Sequence, residues 1–494
     1  MKKPEDSSLA RRDFMKMAAV GAAAGVVGVK AANAQNSAPT QAERPSADLI
    51  VDVSAYIAGS AKAELPREVI EIAKQHILDT LGAMVSGSQL KPGQLALKFI
   101  QTQGGTEEAQ VVGSKLVTSA INAAFTNGMM AHSDETDDSN GNTLVHPGAP
   151  IVSAALAMSE REGADGSRFL KGVVVGYDVG CRMILALDRD EMLQVGRATP
   201  GIGSTFGAAS ASASIARINK DLVPYVLDYA TQQASGINSW ARDKEHVEKA
   251  FVFAGMGARN GVTAALVVQS GFTGVSDAFS GESNFINAFS SHPHPRLLTE
   301  GLGHEYQIML TDMKRFPAGF PIQAAADATV KLIARGLTPK DIKTLTISLP
   351  IIGFNTVNDG NMPDINLQYL VAATLIDGTL KFETAHNFER MKDPAVLELK
   401  KRIVFMEDKE LTAQKRDREG NIEVIKTDGT IMKEHGLSKG TIQYPMTRED
   451  IEAKVRELMI PILGPDRSEK LIQTIWNLEE VKDMRELRPL LSAS

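Results

Sequence analysis

Apolar positions recur at helical spacing along most of the chain. Behind Pro66, which suits a first helical turn, Val69, Ile70, Ala73, Ile77 and Leu78 share one face of a segment running to Asp79. Runs rich in Ala, Gly and Ser follow at residues 119–131, 149–160, 206–216 and 255–271. Side chains this small let helix axes approach closely, so residues 47 to about 281 predict a tightly packed helical assembly. Near residue 300 the period shortens. Residues 342–350 alternate apolar and polar as a half-buried strand does, and residues 402–407 read as another short strand. Residues 422–427 and 430–433 flank Asp428 and Gly429, the signature of a hairpin turn. A helical pattern over residues 323–335 lies between, closed by Gly336. From Thr447 the helical period returns behind a capping-box variant that ends at Asp450. The predicted architecture is mainly α. A large all-helical domain is built from residues 47–299 and 445–494, and a smaller α+β lid domain from residues 300–444.

The N-terminus changes the picture of what folds. Arg11 and Arg12 precede Phe14 and Lys16, an uncharged stretch runs over residues 17–29, and Ala32-Asn33-Ala34 offers a cleavage site. The stretch is short and rich in Gly and Ala for a membrane span. The arginine pair resembles a twin-arginine export signal, so residues 1–34 are expected to be removed and the mature protein to be periplasmic. Residues 35–46 read as a polar, proline-containing linker, and no membrane contact is expected after cleavage. Of the 494 residues, about 460 would then remain. The leader is basic, so the net charge of −7 becomes more acidic without it. That balance argues against a nucleic-acid partner. It also requires that any anionic ligand be drawn in by a local cationic pocket. The chain has one cysteine, Cys181. One thiol excludes an intrachain disulfide, a cysteine-ligated iron–sulfur cluster and a multi-cysteine zinc site. Its setting in a Gly-Tyr-Asp-Val-Gly-Cys-Arg run makes it a core residue by default.

Four polar patches interrupt the apolar pattern. Residues 131–148 carry four carboxylates, two histidines (His132 and His146) and two asparagines between Ala-rich helices. Composition alone reads this as a solvated acidic loop; the alternative is that it lines a site. It is no EF-hand, because with Gly141 at the sixth position Pro147 would stand at the twelfth. The stretch lacks the ligand spacing of a known metal motif. Residues 196–207 are glycine-rich at a helix start but match neither phosphate-loop nor dinucleotide fingerprints. Their glycines serve either helix packing or an anion. Lys249 stands among apolar and small residues, where it either snorkels to the surface or meets a buried anion. Lys314 and Arg315 open a rigid turn, through Pro317 and Pro321, that leads into a helix whose N-terminus favours anions. The pair His292 and His294 reads as ordinary loop.

Taken in order, these patches resemble the MmgE/PrpD family, which includes 2-methylcitrate dehydratase and cis-aconitate decarboxylase. The resemblance runs from Leu78-Asp79-Thr80-Leu81-Gly82 through Asn127 to His132, the acidic loop and His146-Pro147. It continues through residues 176–182, Thr205-Phe206-Gly207, Lys249, Gly271-Phe272-Thr273-Gly274, Lys314 to Pro317 and residues 444–454. It implies the two-domain fold above, a homodimer, and a site between the domains that works without cofactor or metal on di- or tricarboxylates. It implies catalytic roles for His146, Glu135, Asp137 and Lys249. Asp138, Thr199, Lys314, Arg315 and Gln323 are expected to contact substrate. Related enzymes carry histidines where this chain has Thr199 and Gln323, and neither replacement titrates near neutral pH. The reaction implied first is that of a lyase, a dehydratase or decarboxylase working through a carbanion or enolate beside a carboxylate. The alternatives are a racemase, epimerase or isomerase on the same scaffold, and a periplasmic carboxylate-binding protein without catalysis.

Overall fold

The computed structural model describes residues 48–493, so the predicted leader (1–34) and linker (35–46) lie outside the described residues. Pro66 precedes the first long helix rather than entering it: α1 spans Arg67–Gly87 and buries Val69, Ala73, Ile77 and Leu78, as its spacing predicts. Helices α2 (Ala120–Ala131), α3 (Gly148–Glu162), α4 (Gly166–Ala186), α5 (Thr199–Ile215) and α6 (Met256–Gln269) follow. The small-residue runs sit where these helices cross. A Cβ on Gly180 of α4 would lie 2.7 Å from the Gly203 carbonyl oxygen of α5, so only glycine admits this backbone approach. Every residue of α5 is buried, which explains why it shows no amphipathic stripe.

The sheet region has its own core. Helix α7 (Gln323–Ala334) precedes strand β1 (Ile342–Leu349), then α8 (Leu367–Asp377), β2 (Ile403–Glu407), β3 (Glu419–Lys426) and β4 (Ile431–Leu437). The strand order is β2-β1-β3-β4, with β1 and β2 parallel and the other pairs antiparallel. Leu345 pairs with Ile403 on one side and Val424 on the other. The hairpin predicted at Asp428-Gly429 joins β3 to β4, with Gly429 at φ +86°. Leu345, Ile347, Ile422 and Val424 bury against Leu332 of α7 and Leu370 of α8, forming one apolar cluster over residues 316–424.

The chain then returns to the helical part. Helices α9 (Arg448–Leu463) and α10 (Pro465–Trp476) place Val455, Met459, Leu471 and Ile475 in the same cluster as Leu78 and Leu81 of α1. The capping box is present: the Asp450 amide donates to Thr447 Oγ1, and the Thr447 amide donates to Asp450 Oδ2. The chain is mainly α with a small sheet. Cys181 is fully buried on α4, and burial pushes its thiol up.

Candidate active site

Helix α2 ends at His132, and the chain re-enters helix at Gly148. The acidic loop between them is not solvated. Residues 132–140 are all buried, because each carboxylate found partners inside the protein. Asp134 accepts from Ser86 Oγ and from the Thr136 amide and hydroxyl. Burial still raises its carboxyl above the ordinary range. Asp138 accepts from the Gly148 amide at 2.8 Å and the Tyr177 hydroxyl at 2.5 Å, and lies 2.8 Å from His76 Nδ1. It ties the loop to the start of α3 and to α1 and α4.

Glu135 and Asp137 face the other way. A short antiparallel bridge sets Ser139 opposite Asp312 and Asn140 opposite Thr311. That pairing carries Lys314 across to the loop. Its ammonium, fully buried, lies 3.0 Å from Glu135 Oε2 and 3.2 Å from Asp137 Oδ1. Lys249, from the helical turn Val247–Ala250, makes a close ion pair with Glu135 Oε1. A π turn, Phe251–Gly255, joins that helical turn to α6, and such insertions frequently occur at functional sites. Its Phe253 ring stacks on His132 at 4.5 Å and lies under the Lys249 ammonium at 5.2 Å. His132 Nδ1 is 2.7 Å, and His146 Nδ1 3.2 Å, from the same Asp137 oxygen.

The electrostatics follow from this packing. Burial would raise the Asp137 carboxyl, but His132, Lys314 and His146 outweigh it and hold Asp137 well below the usual range. Burial drives His132 far down and His146 down, with Asp137 opposing in both cases. Burial, with the Lys314 charge beside it, pulls Lys249 down to about 7. The cluster therefore holds an ionised Asp137, neutral imidazoles and an ammonium close to losing its proton. Glu135 itself sits at φ +55°, a left-handed conformation that costs a non-glycine residue free energy.

Two triads of donors, His132–Glu135–His246 and His132–Asp137–His146, have atoms within 4.8 Å of one another, close enough for a small cation. Both carboxylates already receive lysine ammoniums, so fixed charges stand where a metal ion would neutralise them. A cavity of about 510 Å³ opens beside the cluster, lined by Leu90, Ser133, His246, Met362, Asp364 and His386 among others. That size suits a small ligand.

Of the sequence-predicted residues, the structure brings His146, Glu135, Asp137, Lys249 and Lys314 together. It sets three others to different work. Asp138 has both oxygens engaged within the protein, so it anchors the loop. Gln323 Oε1 accepts from the Phe316 amide, and its Nε2 donates to the Phe316 and Ala318 carbonyls. It shapes the turn that presents Lys314, with no amide group left for a ligand. Arg315 turns to Asp327 at 3.3 Å and stacks on Phe316. Thr199 is buried at the start of α5 with its hydroxyl unpartnered, next to Ala198, which packs on Val252 and Phe253. Sequence reasoning did not single out His132, His246 or Asp364 as site residues. His132 stood inside the quoted motif. His246 was signalled only by lying three residues before Lys249, and Asp364 by nothing local.

The chain belongs to the MmgE/PrpD family. Residues 51–298 match the MmgE/PrpD N-terminal domain and residues 316–480 the MmgE/PrpD C-terminal domain. Among curated proteins it is similar to cis-aconitate decarboxylase of Homo sapiens, 26% identical over 458 residues covering 88% of this chain and 92% of that protein. It is also similar to cis-aconitate decarboxylase-like protein oryM of Aspergillus oryzae, 23% identical over 483 residues, 91% of this chain and 98% of that protein.

Proposed function

We infer that the protein is a lyase that removes water or carbon dioxide next to a carboxylate in a di- or tricarboxylic acid. One observation carries the reading: Lys249 and Lys314 converge on Glu135 and Asp137 beside His146, and all five are carried on a scaffold whose relatives are decarboxylase-type enzymes. The carboxylates of Glu135 and Asp137 stand where substrate carboxylates would bind the ammoniums. A substrate anion competes for those cations and gains charge-assisted hydrogen bonds. The electron pair left on carbon is delocalised into the bound carboxylate and stabilised by the same lysines. His146, kept neutral by burial, moves the proton on that carbon, and Asp137 orients the ring and stabilises its protonated form.

The test is NMR of the purified protein in heavy water with citrate-, aconitate- and succinate-like acids. Expected is either loss of carbon dioxide with deuterium taken up at the carbon that lost it, or loss of water to give an alkene with the carbon proton released to solvent. His146→Ala and Lys249→Gln should each lower turnover by roughly 10²- to 10⁴-fold. Wild-type rates in both variants would remove this site from consideration. Deuterium wash-in without net conversion would point to an epimerase, and binding without exchange to a carrier.

A further inference from the structure

His146 accounts for one proton. Loss of water needs a second, because the departing oxygen must be protonated as the carbon proton leaves. Neither Thr199 nor Gln323 can carry it, the first having no titratable group and the second being fully bonded to backbone. His246 has the required features. Its Nδ1 lies 3.2 Å from Asp364 Oδ2, and both side chains are buried. A carboxylate on one ring nitrogen fixes the tautomer and leaves the other free for chemistry. That other atom, Nε2, is buried without a hydrogen-bond partner and lies 3.6 Å from Glu135 Oε1.

His246 also lines the 510 Å³ cavity, and its free nitrogen lies on the side of the Glu135 carboxylate that pairs with Lys249. Its backbone is held at φ +63°, a conformation that persists in a non-glycine residue only where the surroundings impose it. His132 Nε2 is likewise unpartnered, but that ring is stacked on Phe253 and the carboxylate it pairs with, Asp137, is the one it shares with His146. The site thus has one carboxylate, Asp137, shared by His132 and His146, and a second, Asp364, that serves His246.

We propose that His246, oriented by Asp364, is a second proton carrier of this site, the acid that protonates a departing hydroxyl while His146 takes the carbon proton. The proposal rests on the lyase reading and narrows it to β-hydroxy acids. In the step, the C–H pair becomes the new carbon–carbon double bond and the proton goes to His146. The C–O bond breaks with its pair on oxygen. His246 enters the step as the imidazolium ion, its Nδ1–H donated to Asp364; the oxygen takes the Nε2 proton and leaves as water, and the N–H pair stays on the ring. One imidazole ends protonated and the other neutral, and exchange with solvent restores both.

The experiment compares two leaving groups on the full-length protein. The probes are 2-methylcitrate, citrate and malate, each beside the analogue with chloride in place of the β-hydroxyl. Chloride leaves without a proton. His246→Gln should lose at least roughly 100-fold in water release, the scale of general acid catalysis, yet expel chloride within a few-fold of the wild-type rate. His146→Ala should lose both. Asp364→Asn should fall between wild type and His246→Gln on water release alone. Chloride release by His246→Gln is its own proof of folding. Equal losses with both leaving groups, or no loss, overturn the proposal. Turnover of aconitate-like acids by wild type with none of the hydroxy or chloro acids overturns it while the lyase reading stands. No turnover of any acid overturns both.

Discussion

Lys249 combines burial with a like-charged neighbour, and both pull its ammonium toward neutrality near pH 7. If its charged form binds substrate carboxylate, kcat/KM should fall as pH rises through about 7, because the free enzyme loses that proton. Lys249→Arg keeps the charge at all accessible pH, so the alkaline limb should move upward by more than one pH unit even if the maximal rate drops. A pH–rate profile of both proteins checks this. Glu135, Asp137, His146, Lys249 and Lys314 were all visible in the sequence, because an ordered motif or an isolated charge in an apolar run marked each of them. His246 and Asp364 were not. They are 118 residues apart, and a pair made by two loops leaves no periodic trace. Asp138 shows the converse, a carboxylate inside the motif whose neighbours in space, His76 and Tyr177, come from two other helices.

Secondary elements were easier to read than their contacts. The period of α1, the hairpin at Asp428-Gly429 and the capping box at Thr447 are local signals, and each appears where its residues place it. The mutual packing of α4 and α5 left only a hint, their glycines and alanines. Gly180→Ala would drive a methyl group against the Gly203 carbonyl at 2.7 Å. The two helices must separate to accept it, and overpacking of this kind costs about 1–3 kcal/mol. Urea denaturation should show a lower midpoint with an unchanged slope. The same substitution at Gly59, where a Cβ meets nothing within 4 Å, should be close to neutral. The turn at residues 314–319 is an element of another sort, a loop whose form depends on one buried amide. Gln323→Leu removes the partners of the Phe316 amide and of two carbonyls. It should destabilise the protein by roughly 1–3 kcal/mol and weaken substrate binding through displaced Lys314. A KM rise larger than the kcat loss is the signature to measure.

At the scale of the molecule, burial of neutral histidines makes the fold acid-sensitive. His132 and His146 are held below their ordinary range in the folded state, whereas in the unfolded chain they protonate near about 6.5. Below that pH the unfolded state binds more protons, so stability should fall as pH drops from about 7.5 to about 5.5. The denaturation midpoint should track this, and His132→Phe should flatten the dependence. Asp137, whose folded value is depressed, adds a further loss only at lower pH. The mainly α character and the return of the C-terminal helices to the first core were legible as changes of hydrophobic period. The depth of the acidic loop was not, because composition cannot distinguish carboxylates facing water from carboxylates facing lysines.

The two-residue bridge between Ser139–Asn140 and Thr311–Asp312 has a consequence for the order of folding. It joins positions about 170 residues apart, a long loop to close and hence a slow contact to make. Until it forms, Lys314 cannot reach Glu135 and Asp137, and the acidic loop has only part of its neutralising charge. The loop's burial must therefore wait for the chain beyond residue 300. A nascent or truncated helical half should expose residues 132–140 and remain susceptible to protease there. The buried cluster of charges would then appear in a single late step, with no partly assembled precursor preceding it.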